Sequence, residues 1–348
     1  MQMFLKPLAE LAEYSEIRDR MVRGRGIISL TGCIDAHKAH MIYGLSFDAK
    51  KVLVITENDM TARVLHEDLS FYYPEAALYP AKDLLFYQAD IASNLLDIQR
   101  LRAFRALTGE KQAVVVLPAS ALMDRVSTRE SFTDACIALD LGDETDLDWL
   151  KKQLTLLGYE RTAAVNLPGQ FAVRGDILDV WSLTEEHPYR IELFGDEIDS
   201  IRAFDAESQR SVEELPRVLI FPACDSVGET GPFLDWFPEN ERGTALFLDE
   251  PGRIYEALKV TEDEFRESVK NRMERGDYKK EETIPEISGA NEITAMLNRR
   301  RAVALSSLDT RKSSWDVTDV FGATVQSTAG YMGSFDLLAQ DLLKYRKR

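Results

Sequence analysis

Histidine and cysteine are scarce in this chain of 348 residues, four of the one and three of the other. Cys33, Cys136 and Cys224 lie far apart, with no C-x-x-C spacing. That excludes a disulfide framework and a clustered zinc site in favour of three buried, reduced thiols. No H-E-x-x-H occurs, so no metal centre is expected. No apolar run approaches the roughly 20 residues of a membrane span, and the first ten residues lack the basic-then-apolar order of a signal peptide. A cytoplasmic chain is expected. Net positive charge is missing too: the balance is −17. A surface this acidic repels phosphate backbones, which makes DNA binding by the chain alone the poorer expectation and leaves only local basic faces.

What is present is ordinary globular material, 45% apolar and 29% charged, long enough for two or three domains. The opening stretch alternates short apolar strands (residues 26–30, 51–56 and 113–117) with helical patterns (to Leu45, 60–71 and 95–107). Continuous apolar strands separated by helices imply a parallel sheet covered on both faces. After about Met123 the rhythm changes. A helix at 146–157 is followed by closely spaced strands from Arg161 to Phe221, with turns at Pro168-Gly169 and Gly195-Asp196, which predicts an antiparallel sheet with a helix packed on it. Strands at 244–248 and 301–305, the second preceded by a helix at 291–298, then restore the first pattern. The charged stretch from Thr261 to Glu282 reads as a solvated helix. The expected architecture is an α/β parallel-sheet lobe interrupted by an inserted α+β domain: residues 1–125, an insert at 126–213, and 214–348 with a C-terminal helix.

Two segments stand where a nucleotide site would be. A phosphate loop reads G-x-x-x-x-G-K-[ST]. After the first strand this chain has Gly32 but no second glycine, Ala39 follows Lys38 where a hydroxyl is needed, and Asp35 would repel a triphosphate. The pair Asp249-Glu250 ends an apolar strand as a Mg²⁺-binding acid pair would. It also fits a plain helix start, with Pro251 at the first helical position. Gly32, Lys38, Asp249 and Glu250 therefore read as a degenerate nucleotide site without function, and no catalytic residue is expected.

The insert carries the specific signal. Gly158-Tyr159-Glu160-Arg161 is followed by Pro168-Gly169-Gln170-Phe171-Ala172-Val173-Arg174-Gly175-Asp176-Ile177-Leu178-Asp179-Val180-Trp181. Then comes Pro188-Tyr189-Arg190-Ile191-Glu192-Leu193-Phe194-Gly195-Asp196-Glu197-Ile198-Asp199-Ser200-Ile201-Arg202, closed by Phe204-Asp205 and Ser208-Gln209-Arg210-Ser211. This ordered string resembles the UvrA-interacting domain shared by UvrB and the bacterial transcription-repair coupling factor family (Mfd), and the flanking segments resemble the first, helicase-like lobe of the same group. UvrB keeps an intact phosphate loop and a tyrosine-rich hairpin that enters damaged DNA. Here the loop is broken, and the stretch from Leu78 to Tyr87 is too short and too poor in tyrosine, so the resemblance points to the coupling factor's N-terminal module.

The resemblance implies a module that recruits UvrA and links a stalled RNA polymerase to excision repair. It implies a longer protein whose further domains bind RNA polymerase and drive double-stranded DNA translocation with ATP and Mg²⁺; this part is expected to need no cofactor and to be no enzyme. Arg161, Arg174, Trp181, Arg190 and Glu192 match the family's UvrA-contacting positions, while Ala172 stands where UvrB has a further arginine. Geometry adds its own reading. A two-residue turn at Gly195-Asp196 would set Leu193 opposite Ile198 and Glu192 opposite Asp199, with Arg190 the nearest cation for the two acids. A bulge at Gly175 would let Arg174 and Trp181 share an exposed face. On pattern alone the plainer alternative, arginines balancing local acids and Trp181 in the core, is slightly favoured; the resemblance selects the contact face. Rival readings are a nucleotide hydrolase built on Asp249 and Glu250, and a single-strand nucleic-acid binder, against which stand the net charge and the lack of interleaved basic and aromatic residues.

Overall fold

Every residue of strands Lys51–Thr56 and Ala113–Pro118 is buried, which is possible only in a sheet covered on both faces. A computed structural model of the chain describes residues 2–23, 26–82, 94–239, 242–276, 286–308, 314–325, 331 and 333–346. Seven strands form that sheet in the order Val317–Gly322, Ile27–Thr31, Ala302–Ser306, Thr244–Asp249, Lys51–Thr56, Ala113–Pro118, Ala77–Leu78, and every ladder is parallel. Alternate residues go to opposite cores, as the two-residue repeat of a strand demands. Val52, Val54, Val114, Val116 and Phe247 pack under the N-terminal helices and helices Asp35–Leu45 and Asp59–Ser70. Leu53, Ile55, Val115, Leu117 and Leu248 pack under helices Asn94–Thr108, Pro251–Arg275 and Ala290–Asn298. No helix among the described residues is long and apolar enough to cross a membrane.

The insert is a second sheet of six strands, ordered Ser211–Glu214, Glu197–Phe204, Tyr189–Phe194, Ile177–Val180, Gln170–Arg174, Glu160–Arg161. It is antiparallel except for the last pair, which runs parallel. Helix Leu147–Leu156 covers one face with Leu150 and Leu154, against Phe171, Leu178, Val180 and Ile191. The chain enters and leaves the insert through two antiparallel pairs, Arg125–Ser127 with Thr230–Pro232 and Ile137–Asp140 with Arg217–Ile220. Pairing thus continues past Glu213.

Between the lobe and the insert lies a buried ionic knot. Arg100, fully enclosed, pairs with Asp225 at 2.5 Å and Asp124 at 2.8 Å, donates to Pro80 O at 2.8 Å and lies 4.1 Å from the Tyr79 ring centroid. Lys82 adds a 2.6 Å pair to Asp225. Burial pushes Asp225 up, but the Arg100 and Lys82 cations outweigh it and hold its carboxyl below the usual range. Asp124, nearest the point where the chain leaves the lobe, is raised instead, because burial wins there over Arg100.

The helix Pro251–Arg275 is only half solvated. Ile254, Leu258 and Phe265 are buried, and Glu262, sheltered among them, accepts from Ala290 N at 3.2 Å, the start of the next helix. The charged stretch beyond Gly276, and the segment after Lys82 compared with the UvrB hairpin, lie outside the described residues.

Candidate functional site

The two tight hairpins of the insert, Gln170–Arg174 with Ile177–Val180 and Tyr189–Phe194 with Glu197–Phe204, turn on Gly-Asp. Gly175 (φ 61°) and Gly195 (φ 67°) take positive φ at the first central position of two-residue loops, the requirement of a type II′ turn. Gly175 is therefore a turn and not a bulge, and it sets Arg174 opposite Ile177 and Ala172 opposite Asp179. The bulge lies elsewhere. Leu193 faces Ile198 as expected, but Glu192 faces Ser200, because Asp199 is an extra residue in its strand. The two acids predicted to oppose each other do not. Glu192 accepts from Ser200 Oγ at 3.0 Å and pairs with Arg202, not with Arg190.

The face of this sheet away from its helix is organised by a residue the sequence reading passed over. Asp179 is 2% exposed, a carboxylate on the open face that arginines have covered. Arg190 grips it through Nε to Oδ1 at 2.6 Å and Nη2 to Oδ2 at 2.8 Å, and Arg174 adds Nη2 to Oδ2 at 2.7 Å. Arg190 also donates to Gln209 Oε1 at 2.8 Å and stacks its guanidinium 4.3 Å from the Phe204 ring centroid. Its side chain is 12% exposed, whereas that of Arg174 is 50% exposed. Of these two arginines, Arg190 is anchored and Arg174 is accessible. The signal was available: counting outward from the Gly175-Asp176 turn sets Arg174 opposite Ile177 and so puts Asp179 on the same face, and buried carboxylates need partners.

Arg161 stands apart. Its register partner is Phe171, a core residue, so it shares the helix side of the sheet, at the exposed edge strand. There it joins Lys151 and Lys152 in lowering the pKa of Asp148. Trp181 is opposite Gln170 on the open face, half-buried, with Nε1 donating to Glu185 O at 3.1 Å. Arg174, Arg190, Glu192 and Trp181 are thus brought to one face, and Arg161 is not.

At the carboxyl end of the large sheet, Gly32, Lys38, Asp249 and Glu250 do converge. Gly32 (φ 81°) needs its lack of a side chain: a Cβ there would lie 2.1 Å from Ala323 O. A cleft of about 470 Å³ opens beside it, lined by Gly32, Cys33, Ile34, Asp35, Ser307 and Ala323. Burial pushes the Cys33 thiol up to about 12, so it is not a nucleophile. Lys38 points away from this cleft's solvent and into the protein, 2.7 Å from Asp249 Oδ1 and 2.8 Å from Glu250 Oε1. Burial would lower its pKa, but the two carboxylates outweigh burial and raise it. Glu250 occupies the cap position of helix Pro251–Arg275 with left-handed backbone (φ 56°), yet its side chain makes no cap bond there. It accepts instead from Ser307 N at 2.8 Å and Ser307 Oγ at 2.6 Å. The lysine a phosphate would need is engaged by the acids that would hold its metal.

Comparison with known proteins bears on the insert first. Residues 137–225 match the family model described as the UvrB interaction domain. A transcription-repair-coupling factor from Bacillus subtilis is 35% identical over 180 residues, 51% of this chain and 15% of that protein. One from Staphylococcus haemolyticus is 34% identical over 217 residues, 62% of this chain and 18% of that protein. The UvrABC system protein B of Thermosipho africanus is 31% identical over 193 residues, 51% of this chain and 29% of that protein. The matches therefore span less than a third of each relative's length. The insert region thus matches the UvrB interaction domain model, and over about half its length or more the chain is similar to transcription-repair-coupling factors and to protein B of the UvrABC system.

Proposed function

We propose that the open face of the insert's sheet docks UvrA, and that the chain serves transcription-coupled DNA repair by recruiting the excision machinery. The observation that carries this reading is the coincidence of the UvrB interaction domain with a helix-free sheet face bearing arginines and a half-buried tryptophan. Such a face has the make-up of an interface hot spot. Arg174 is the contact residue proper, because half of its side chain is accessible. Arg190 positions Asp179 and Phe204 beneath it. Glu192 and Trp181 flank the patch, and Arg161 is a rim contact at most, since it lies on the other side of the sheet.

The lobe, on this proposal, is a scaffold whose nucleotide site is closed by Lys38, and the chain hydrolyses no ATP. The protein acts as part of a longer coupling factor, where RNA polymerase, double-stranded DNA, ATP and Mg²⁺ belong to other domains. The test is titration of UvrA against the full chain and Arg174→Glu at two salt concentrations. Weakening by at least about tenfold, or ~1.4 kcal/mol, with a smaller salt dependence, is expected, in a variant whose thermal melt stays cooperative though lowered by loss of the Arg174–Asp179 pair. Unchanged affinity would move the contact off this face.

A further inference from the structure

Phe194 is 83% exposed, more than any other large apolar side chain among the described residues. It closes the hairpin of Tyr189–Phe194 with Glu197–Phe204, opposite Glu197 and against the Gly195-Asp196 turn. Strand alternation fixes its direction. Ile191 and Leu193 are buried in the core with Leu150 and Leu154 of the insert's helix, so Arg190, Glu192 and Phe194 point the other way, onto the open face.

Register places Phe194 on the same patch as the arginines. Glu192, Ile177 and Arg174 form one row across three adjacent strands of the open face. Phe194 stands one open-face step beyond that row, roughly 7 Å along its strand, where the bond from Leu193 N to Asp176 O (2.9 Å) carries the pairing on toward the Gly175-Asp176 turn. Trp181 stands two steps to the other side of the row, roughly 13 Å away. The open face therefore runs about 20 Å between two aromatics, with Arg174, Asp179, Arg190 and Glu192 in between.

The fold gives no reason for a phenylalanine there. A ring at a hairpin tip could serve by covering the glycine of the neighbouring turn. At 83% exposure this one covers little, and a Cβ on Gly175 or on Gly195 would meet nothing within 4 Å. A solvated strand position is served as well by threonine, which has the same strand preference without the exposed apolar surface. Half-buried Ile177 in the next row makes the ring part of an apolar patch that continues to the half-exposed Arg174. An accessible aromatic beside an accessible arginine is the pairing that carries binding energy in protein interfaces. We infer that Phe194 is a second aromatic anchor of the docking face, entering an apolar socket on UvrA whose rim bears the carboxylates that meet Arg174; the inference rests on the UvrA reading above.

The experiment is calorimetric titration of UvrA with the full chain, Phe194→Ala, Phe194→Leu and Arg174→Glu, at two salt concentrations and several temperatures. Phe194→Ala should weaken binding by at least about tenfold, because a buried phenyl ring is lost. It should keep the salt dependence of the parent and make the heat capacity of binding less negative, the mark of lost apolar burial. Phe194→Leu, which retains much of the apolar area, should fall between the two. A thermal melt checks folding; if Phe194→Ala does not fold, Phe194→Thr takes its place. Parent affinity in a folded Phe194 variant, alongside weakened binding by Arg174→Glu, overturns the anchor and leaves the UvrA reading standing. Parent affinity in both removes the whole open face, and the anchor with it. A salt dependence flattened as far as in Arg174→Glu overturns the apolar socket. A dimer of the chain in sedimentation that Phe194→Ala dissolves, with UvrA affinity unchanged, makes the tip a contact between copies and overturns the inference as well.

Discussion

Replacing Arg190 with alanine should loosen the insert far more than the same change at Arg174, although both arginines hold one carboxylate. Arg190 supplies two of the three hydrogen bonds to Asp179 and is 12% exposed. Losing one partner of a buried pair costs about 3–5 kcal/mol, less here because Arg174 stays in place; the stacking on Phe204 adds about 0.5–1 kcal/mol. A total near 3 kcal/mol is expected. Arg174→Ala leaves the two-bond grip intact and removes a half-exposed side chain, for about 1 kcal/mol or less. The readout is amide hydrogen exchange at Ile191 and Ile201, which face each other in the central hairpin, under conditions where exchange follows the opening equilibrium. Arg190→Ala should speed it roughly a hundredfold and Arg174→Ala less than about tenfold. Equal acceleration by the two variants would refute the division into anchor and contact, and no acceleration by Arg190→Ala would refute the buried pair.

Mg²⁺-ATP should not bind at the Gly32 loop; calorimetry showing saturable micromolar binding that Asp249→Ala abolishes would overturn this. Lys38→Met should destabilise the lobe at neutral pH, by about 3–5 kcal/mol, since it leaves two carboxylates without their cation. In the parent chain burial pushes Glu250 up but Lys38 and Ser307 outweigh it, holding it below its ordinary 4.5. Its stabilisation is therefore present above that pH and lost as pH falls through the lowered value. The variant lacks it, so denaturation curves for the two should converge on acidification, and a gap that widens instead would refute the pairing. Deleting Ala138–Leu219 should leave a folded lobe without UvrA binding, because the two new ends, Ile137 and Ile220, are ladder partners that a two-residue turn can join. Retained binding in a pull-down would place the docking face on the lobe.

The parallel sheet was legible because its strands are short apolar runs between helical patterns, and Lys51–Thr56 falls where the sequence reading placed it. Strand Val317–Gly322 was not: it is an edge strand, largely exposed, with Thr318 and Asp319 in it, and no apolar run marks it. In the insert, turn chemistry gave the hairpins but not the extra residue Asp199, since a bulge is set by how the twisted strand packs and has no composition signal here. That one residue moved Glu192 from Arg190 to Arg202. Arg161 lies on the other face because its register partner is the core residue Phe171, and a parallel edge pair has no tight turn from which that register could be counted. Lys38, Asp249 and Glu250 were named from the sequence, but their mutual neutralisation depends on parallel strands bringing residues some two hundred positions apart to one sheet end.

The Arg100 knot has a mechanical side. Asp124 lies just before the chain leaves the lobe and Asp225 just after it returns from the six-stranded sheet, and a single guanidinium holds both. A pull on the insert by anything docked to it would reach both crossings together and pass through Arg100 into helix Asn94–Thr108, which packs on the large sheet. The insert is thus harnessed at its root, and tension should arrive in the lobe as displacement of one helix instead of being absorbed by slack in two tethers.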